Sequence, residues 1–199
     1  MLGYMAGSAL ALFALDLVLV VRGVTGSLDR HILLWAHGLR SNALSRIFQL
    51  ITDTGGIGRA VPVILVALFL LLTHRRLELV MFLAAVGIGQ SITYGVKAIV
   101  QRERPSLFEV AGLPNDASFP SGHALGSAIL YGMLALWMWH HGYHIPAILL
   151  VVWALLVGFS RIYLGVHYPT DVFASLCLGV TVLATTVLVY QHLLGASAQ

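Results

Sequence analysis

Charge is scarce in this chain: only 10% of its 199 residues are Asp, Glu, Lys or Arg, while 59% are hydrophobic. With a mean hydropathy of +0.91, that balance excludes an ordinary soluble domain. Cysteine is nearly absent. Cys177 is the single one and lies in an apolar stretch, so no intramolecular disulfide forms and a small core residue is its natural role. No linker, repeat or low-complexity tract divides the chain, which predicts one integral membrane domain over residues 1–199. A continuous basic face with groove-reading elements is missing too. The net charge of +3 and pI near 9.3 therefore suit anionic lipid headgroups rather than nucleic acid.

What is abundant is apolar length. Six segments reach, or with their flanks approach, the ~20 residues that cross a bilayer core. They cover about 3–21, 56–73, 77–100, 121–140, 145–164 and 169–192. The predicted fold is all-α, a six-span transmembrane helical bundle with amphipathic helices between spans one and two. The first segment lacks a basic n-region and a small-residue cleavage site, and reads as a retained anchor rather than a signal peptide. Asp16 within it reads as a carboxylate near the interface or paired with a neighbouring helix. In residues 28–51, Leu28, Ile32, Trp35 and Leu39 recur at helical spacing, with Asp29, Arg30 and Arg40 off that stripe. Ser41-Asn42 offers a break and a fresh cap before Leu44, Ile47 and Phe48. Two short helices follow, lying in the interface with Trp35 as anchor or packed on the protein as a hairpin. Gly87, Ser91 and Gly95, like Gly122 and Gly126, form small-residue faces that predict close helix packing.

The few polar residues gather into three clusters: Lys97-x6-Arg104-Pro105, Pro120-Ser121-Gly122-His123 and Ser160-Arg161-x5-His167-x3-Asp171. Six spans put all three on one side, opposite the termini. Ionisable groups at membrane depth are costly and usually functional, and this set suits a phosphate. If the helix persists beyond Lys97, Arg104 projects from the same face about 10 Å further along, with Pro105 as the stop. Ser121 is a natural N-cap, Gly122 allows close backbone approach, and a helix N-terminus favours an anion. His123 falls in that first turn, as a neighbour of the bound group or as a plain interfacial histidine. Asp171, four residues beyond His167, reaches back to one ring nitrogen and leaves the other free to attack. Alone, that pair also reads as a structural or pH-sensing unit. No Asp/Glu cluster with metal-ligand spacing stands beside these residues, so no metal or other cofactor is expected. His140, His141 and His144 read as a polar turn on the terminal side, and residues 106–119, with Leu107, Phe108 and Val110, as a loop dipping into the headgroups or simply packed.

The three motifs, in order and at span ends, resemble the signature of the type 2 phosphatidic acid phosphatase superfamily, whose defining positions all match across residues 97–171. The resemblance implies His167 as the nucleophile of a phosphohistidine, oriented by Asp171, and His123 as the acid that protonates the leaving oxygen. It implies Lys97, Arg104 and Arg161 as a clamp on the equatorial oxygens, helped by Ser121 and the Gly122 N–H. The expected substrate is a lipid phosphomonoester or diphosphate: polyprenyl diphosphate, phosphatidate or phosphatidylglycerol phosphate. The compact length resembles bacterial inner-membrane members, whose site faces away from the cytoplasm. The positive-inside rule points the other way, since every Lys and Arg except Arg75 and Arg76 falls on the cluster side. Two rivals stand beside this reading. A lipid phosphotransferase would hand the same phosphohistidine to an acceptor other than water. A transporter would use the charges as an ion pathway, but they cluster at one membrane face instead of the midplane.

Overall fold

The computed structural model describes residues 1–108 and 115–197. Val110 of the predicted headgroup loop lies outside them. In chain order the elements are α1 (Leu2–Val21), α2 (Gly26–Gly38), α3 (Asn42–Asp53), a 3-10 turn (Ile57–Arg59), α4 (Ala60–Leu72), α5 (Arg76–Val100), α6 (Gly122–His140), α7 (His144–Tyr163) and α8 (Pro169–Ser197). No strand occurs among the described residues.

Four helices are long and apolar enough to cross a membrane: α1, α5, α7 and α8. A fifth candidate is α3 joined to Ile57–Leu72, bent by 46° at the break. The predicted span at 56–73 is thus served by α4, whose 13 residues are short of a bilayer core by themselves. The predicted span at 121–140 is α6, which is not among the apolar candidates. It sits at the centre, packed on α5, α7 and α8, and buries Ser127 among Ala124, Leu125, Ala128, Ile129 and Leu130. A helix wrapped by other helices meets little lipid and tolerates polar groups that a lipid-facing one cannot.

The outer surface is apolar. Leu15, Leu72, Ile99 and Ile145 are all more than half exposed, the pattern expected where the surroundings are hydrocarbon. The apolar stripe of α2 follows the same pattern. Leu28, Trp35 and Leu39 face outward, while Asp29, off that stripe, is fully buried beside Leu33 and Ala36. The break falls where expected, with Ser41 Oγ accepting from the Leu44 N–H at 3.2 Å.

Two packing expectations fail. Gly87, Ser91 and Gly95 are exposed on α5 and no neighbour approaches the two glycines. The close contact of α5 is made by Gly89, against the Ile129 side chain. The Gly122 and Gly126 face admits the Thr93 and Arg59 side chains rather than a bare helix backbone. Asp16 is buried in α1 with no ion-pair partner among the described residues, and its Oδ2 accepts no hydrogen bond. Cys177 is a core residue, packed with Phe13, Leu125 and Leu178.

Candidate active site

Helix ends build one polar cluster: the C-termini of α5 and α7 and the N-termini of α6 and α8. The α6 and α8 starts are tied together, since the Ser121 N–H donates to the Asp171 carbonyl at 3.2 Å. Ser175 Oγ donates to the Ser121 carbonyl at 3.0 Å. Ser121 Oγ caps α6 by accepting from the Ala124 N–H at 3.4 Å, as the sequence predicts. Gly122 packs closely on α5, since a Cβ there would come within 3.2 Å of Thr93 Cγ2.

His167 lies in the α7–α8 connection, a tight turn through Gly165 at φ +75. It is buried, with Asp171 Oδ2 3.4 Å from Nδ1. On the other side Nε2 lies 3.2 Å from Arg104 Nη1. That donor assigns the lone pair to Nε2 and the proton to Nδ1. Burial pushes the imidazole down to about 4, against the opposing pull of Asp171, so it is neutral near pH 7. Asp171 itself is fully buried and saturated with donors. It accepts from Ser118 Oγ at 2.5 Å, the Tyr168 N–H at 2.8 Å and Arg102 Nη1 at 2.6 Å.

The three predicted clamp cations converge. Lys97 Nζ and Arg104 Nη2 grip the two oxygens of Asp116, at 2.7 and 2.6 Å. Lys97 also bonds the Ala117 carbonyl, and Arg104 Nη1 donates to the Val166 carbonyl at 2.8 Å. Burial works to raise the Asp116 carboxyl, but Lys97 and Arg104 win and hold it down at about 2. Arg161 is buried at the end of α7 and donates to Thr52 Oγ1 of α3 at 2.6 Å, while its buried Nε has no acceptor. His123 lies in the first turn of α6, within electrostatic reach of His167, Arg161 and Arg104, and hydrogen-bonds no described residue.

The condition attached to the first motif is not met. The helix does not persist from Lys97 to Arg104: α5 ends at Val100, with Gln101 left-handed at φ 46. Arg104 reaches His167 from the irregular segment that follows α5.

Several residues in the cluster escape the sequence reading. Arg102 donates to Asp29 Oδ2 and Asp171 Oδ1, both at 2.6 Å, and its guanidinium covers the Tyr168 ring at 4.0 Å. Asp29 also accepts from the Thr170 N–H at 3.1 Å. Two carboxylates on one guanidinium outweigh the burial that would lower it, and its pKa is raised. Asp116, Ser118 and Thr52 complete the set. The only sequence signal for Arg102 is its place inside the first motif; Asp29 gives none. Among the described residues, no group of three His, Cys, Asp or Glu side chains is arranged to hold a metal ion.

Comparison with known proteins agrees with this architecture. A crystal structure of a transmembrane PAP2-type phosphatidylglycerolphosphate phosphatase from Bacillus subtilis superposes with a TM-score of 0.87, covering 95% of this chain and 97% of that one at 24% identity. Undecaprenyl-diphosphatase BcrC of Bacillus subtilis is 31% identical over 153 residues, 73% of this chain and 76% of the relative. Phosphatidylglycerophosphatase B of the same organism is 29% identical over 71% of this chain and 72% of the relative. A Mycobacterium tuberculosis decaprenylphosphoryl-5-phosphoribose phosphatase is 36% identical, the match spanning 56% of this chain and 60% of the relative. These relatives are lipid phosphatases. The PAP2 superfamily model matches residues 77–194, which hold all three polar motifs, and the chain belongs to the PAP2 superfamily.

Proposed function

We propose that the chain is a membrane-embedded lipid phosphate phosphatase working through a phosphohistidine on His167. The observation that carries this reading is the His167 imidazole, held by Asp171 at Nδ1 with Nε2 turned to Arg104, Arg161 within electrostatic reach, and Lys97 joined to Arg104 through Asp116. Nε2 attacks phosphorus, the bond to the lipid oxygen breaks, and that oxygen takes its proton from His123. Water then attacks the phosphohistidine, His123 accepts the proton, and inorganic phosphate leaves. The cations stabilise the equatorial oxygens, which is the main catalytic task in phosphoryl transfer. The unspent Nε of Arg161 is one donor for them.

On this reading the side-chain charges do the work that a metal ion would otherwise do. Lys97, Arg102, Arg104 and Arg161 face Asp29, Asp116 and Asp171, one net positive charge. Phosphate competes with Asp116 for Lys97 and Arg104. Once Asp116 gives way, two positive charges meet the dianion. The relatives' names favour polyprenyl diphosphates and phosphatidylglycerol phosphate as substrates, with phosphatidate a further candidate. The fold is read as six spans, with α4 and α6 joining the four long helices. The apolar outer faces of α2 support its place, and that of α3, in the membrane interface. The setting is read as a bacterial inner membrane with an extracytoplasmic site.

Phosphate release by the purified protein against a lipid panel tests this. His167→Ala should lose nearly all turnover while keeping its thermal stability in detergent, and acid quench should trap phosphate on His167 in the parent. Activity should survive EDTA, and vanadate should inhibit. Substantial turnover by His167→Ala would sink the mechanism.

A further inference from the structure

Arg59 stands outside the three motifs, yet it closes on the helix turn that carries His123. Its Nη1 donates to the Gly122 carbonyl at 3.1 Å and its Nη2 to Gln90 Oε1 at 3.3 Å. The guanidinium lies where a Cβ at Gly126 would collide with it. Gly126 follows Gly122 by one helical turn, so the cation lies along the face of α6 that also presents His123. The preceding turn touches the imidazole directly, since a Cβ at Gly56 would sit 2.7 Å from His123 Nε2.

Arg59 has no carboxylate within ion-pair distance among the described residues. Both of its acceptors are neutral, and three of its five N–H donors remain unspent. A half-buried, uncompensated guanidinium at the edge of an apolar bundle is costly unless an anion visits it. The crevice it fills runs between α4, α5 and α6. Val63, Val86 and Ile129 line it, and exposed Gln90 stands at its rim. The crevice is small, and Gly126 places it one turn along α6 from Gly122. In a lipid phosphate the leaving group is the lipid, which must extend from the acid at His123 toward the hydrocarbon.

We propose that Arg59 forms a second anion subsite on the leaving-group side of His123, which selects lipid diphosphates over lipid monophosphates. This rests on the phosphatase reading and adds the substrate class. The terminal phosphorus moves to His167 Nε2, and the bridging P–O bond breaks with its electron pair on the bridging oxygen. That oxygen stays with the lipid as part of a phosphate, whose added negative charge is met by Arg59. A phosphate is a better leaving group than an alkoxide, so charge stabilisation there replaces much of the need for a proton. In a monophosphate ester the atom reaching Arg59 is carbon, and the guanidinium has nothing to hold.

Full-length protein in detergent, assayed on farnesyl diphosphate and farnesyl monophosphate, tests this with one lipid tail in both arms. Arg59→Gln should lose about 10- to 100-fold in kcat/KM on the diphosphate, the scale of lost charge-assisted hydrogen bonds. It should lose far less on the monophosphate, which also reports that the variant is folded. Arg59→Lys should recover part of the diphosphate activity. Equal losses on both substrates, or none on either, would overturn the subsite and leave Arg59 as a structural or headgroup-anchoring residue. Phosphate release from neither substrate by the parent protein would overturn the phosphatase reading and the subsite together.

Discussion

His123 and Arg161 stand within electrostatic reach of each other but have different tasks in the proposed chemistry. A positioned acid contributes ~10²–10⁴ in rate, and only where the leaving oxygen needs a proton. His123→Ala should therefore damage turnover of an alkyl phosphate far more than that of an activated aryl phosphate. Arg161→Ala should damage both alike, because the equatorial oxygens are common to them. Measuring kcat/KM for both variants on both substrates decides it; proportional losses throughout would remove the acid role from His123. Arg102 acts one layer back. A single planar guanidinium spans Asp29 and Asp171 at 2.6 Å each, a bridge that a lysine ammonium cannot reproduce as two directed forks. Asp171 is thereby aimed, which the motif spacing alone does not guarantee.

Among the elements, the caps were legible and the bends were not. Ser121 and Ser41 announce helix starts because their side chains satisfy free N–H groups, and both do so. The end of α5 carries no such mark. Gln101 takes a left-handed conformation that usually signals itself as glycine or asparagine, so nothing in the sequence marks that Arg104 lies beyond the helix. In α2 the apolar stripe was visible, but its direction depends on the surroundings. In water Leu28, Trp35 and Leu39 would face the core; here they face outward and Asp29 faces in. Direction across the membrane is read by labelling. With Cys177 replaced by Ala, a cysteine at exposed Ser106 should react with an impermeant thiol reagent in intact cells. One at exposed His141, beyond the opposite end of α6, should react only after permeabilisation. The reverse pattern would mean that the excess of arginines on the cluster side governs orientation.

On the scale of the whole molecule, stability and acidity are linked through buried His167. Unfolded histidine takes a proton near pH 6.5, whereas folded His167 resists until about pH 4. Between those values the unfolded state binds more protons, so stability should fall as pH drops through that window. Asp116 extends the loss below it: its folded carboxyl titrates at about 2, and its contribution disappears as pH falls from the normal carboxylate range toward that value. Thermal midpoints in detergent should decline from pH 6.5 to 4, and His167→Asn should flatten the decline. An unchanged slope in the variant would assign it to other groups. The cluster is also gathered from distant parts of the chain, from Asp29 on α2 to Asp171 on α8, with α8 packed against α1. During synthesis the cations and His123 emerge first, and His167 and Asp171 come with the last helix. In the proposed mechanism a half-made chain therefore holds a phosphate cradle without a nucleophile, and turnover waits until that helix closes onto the first.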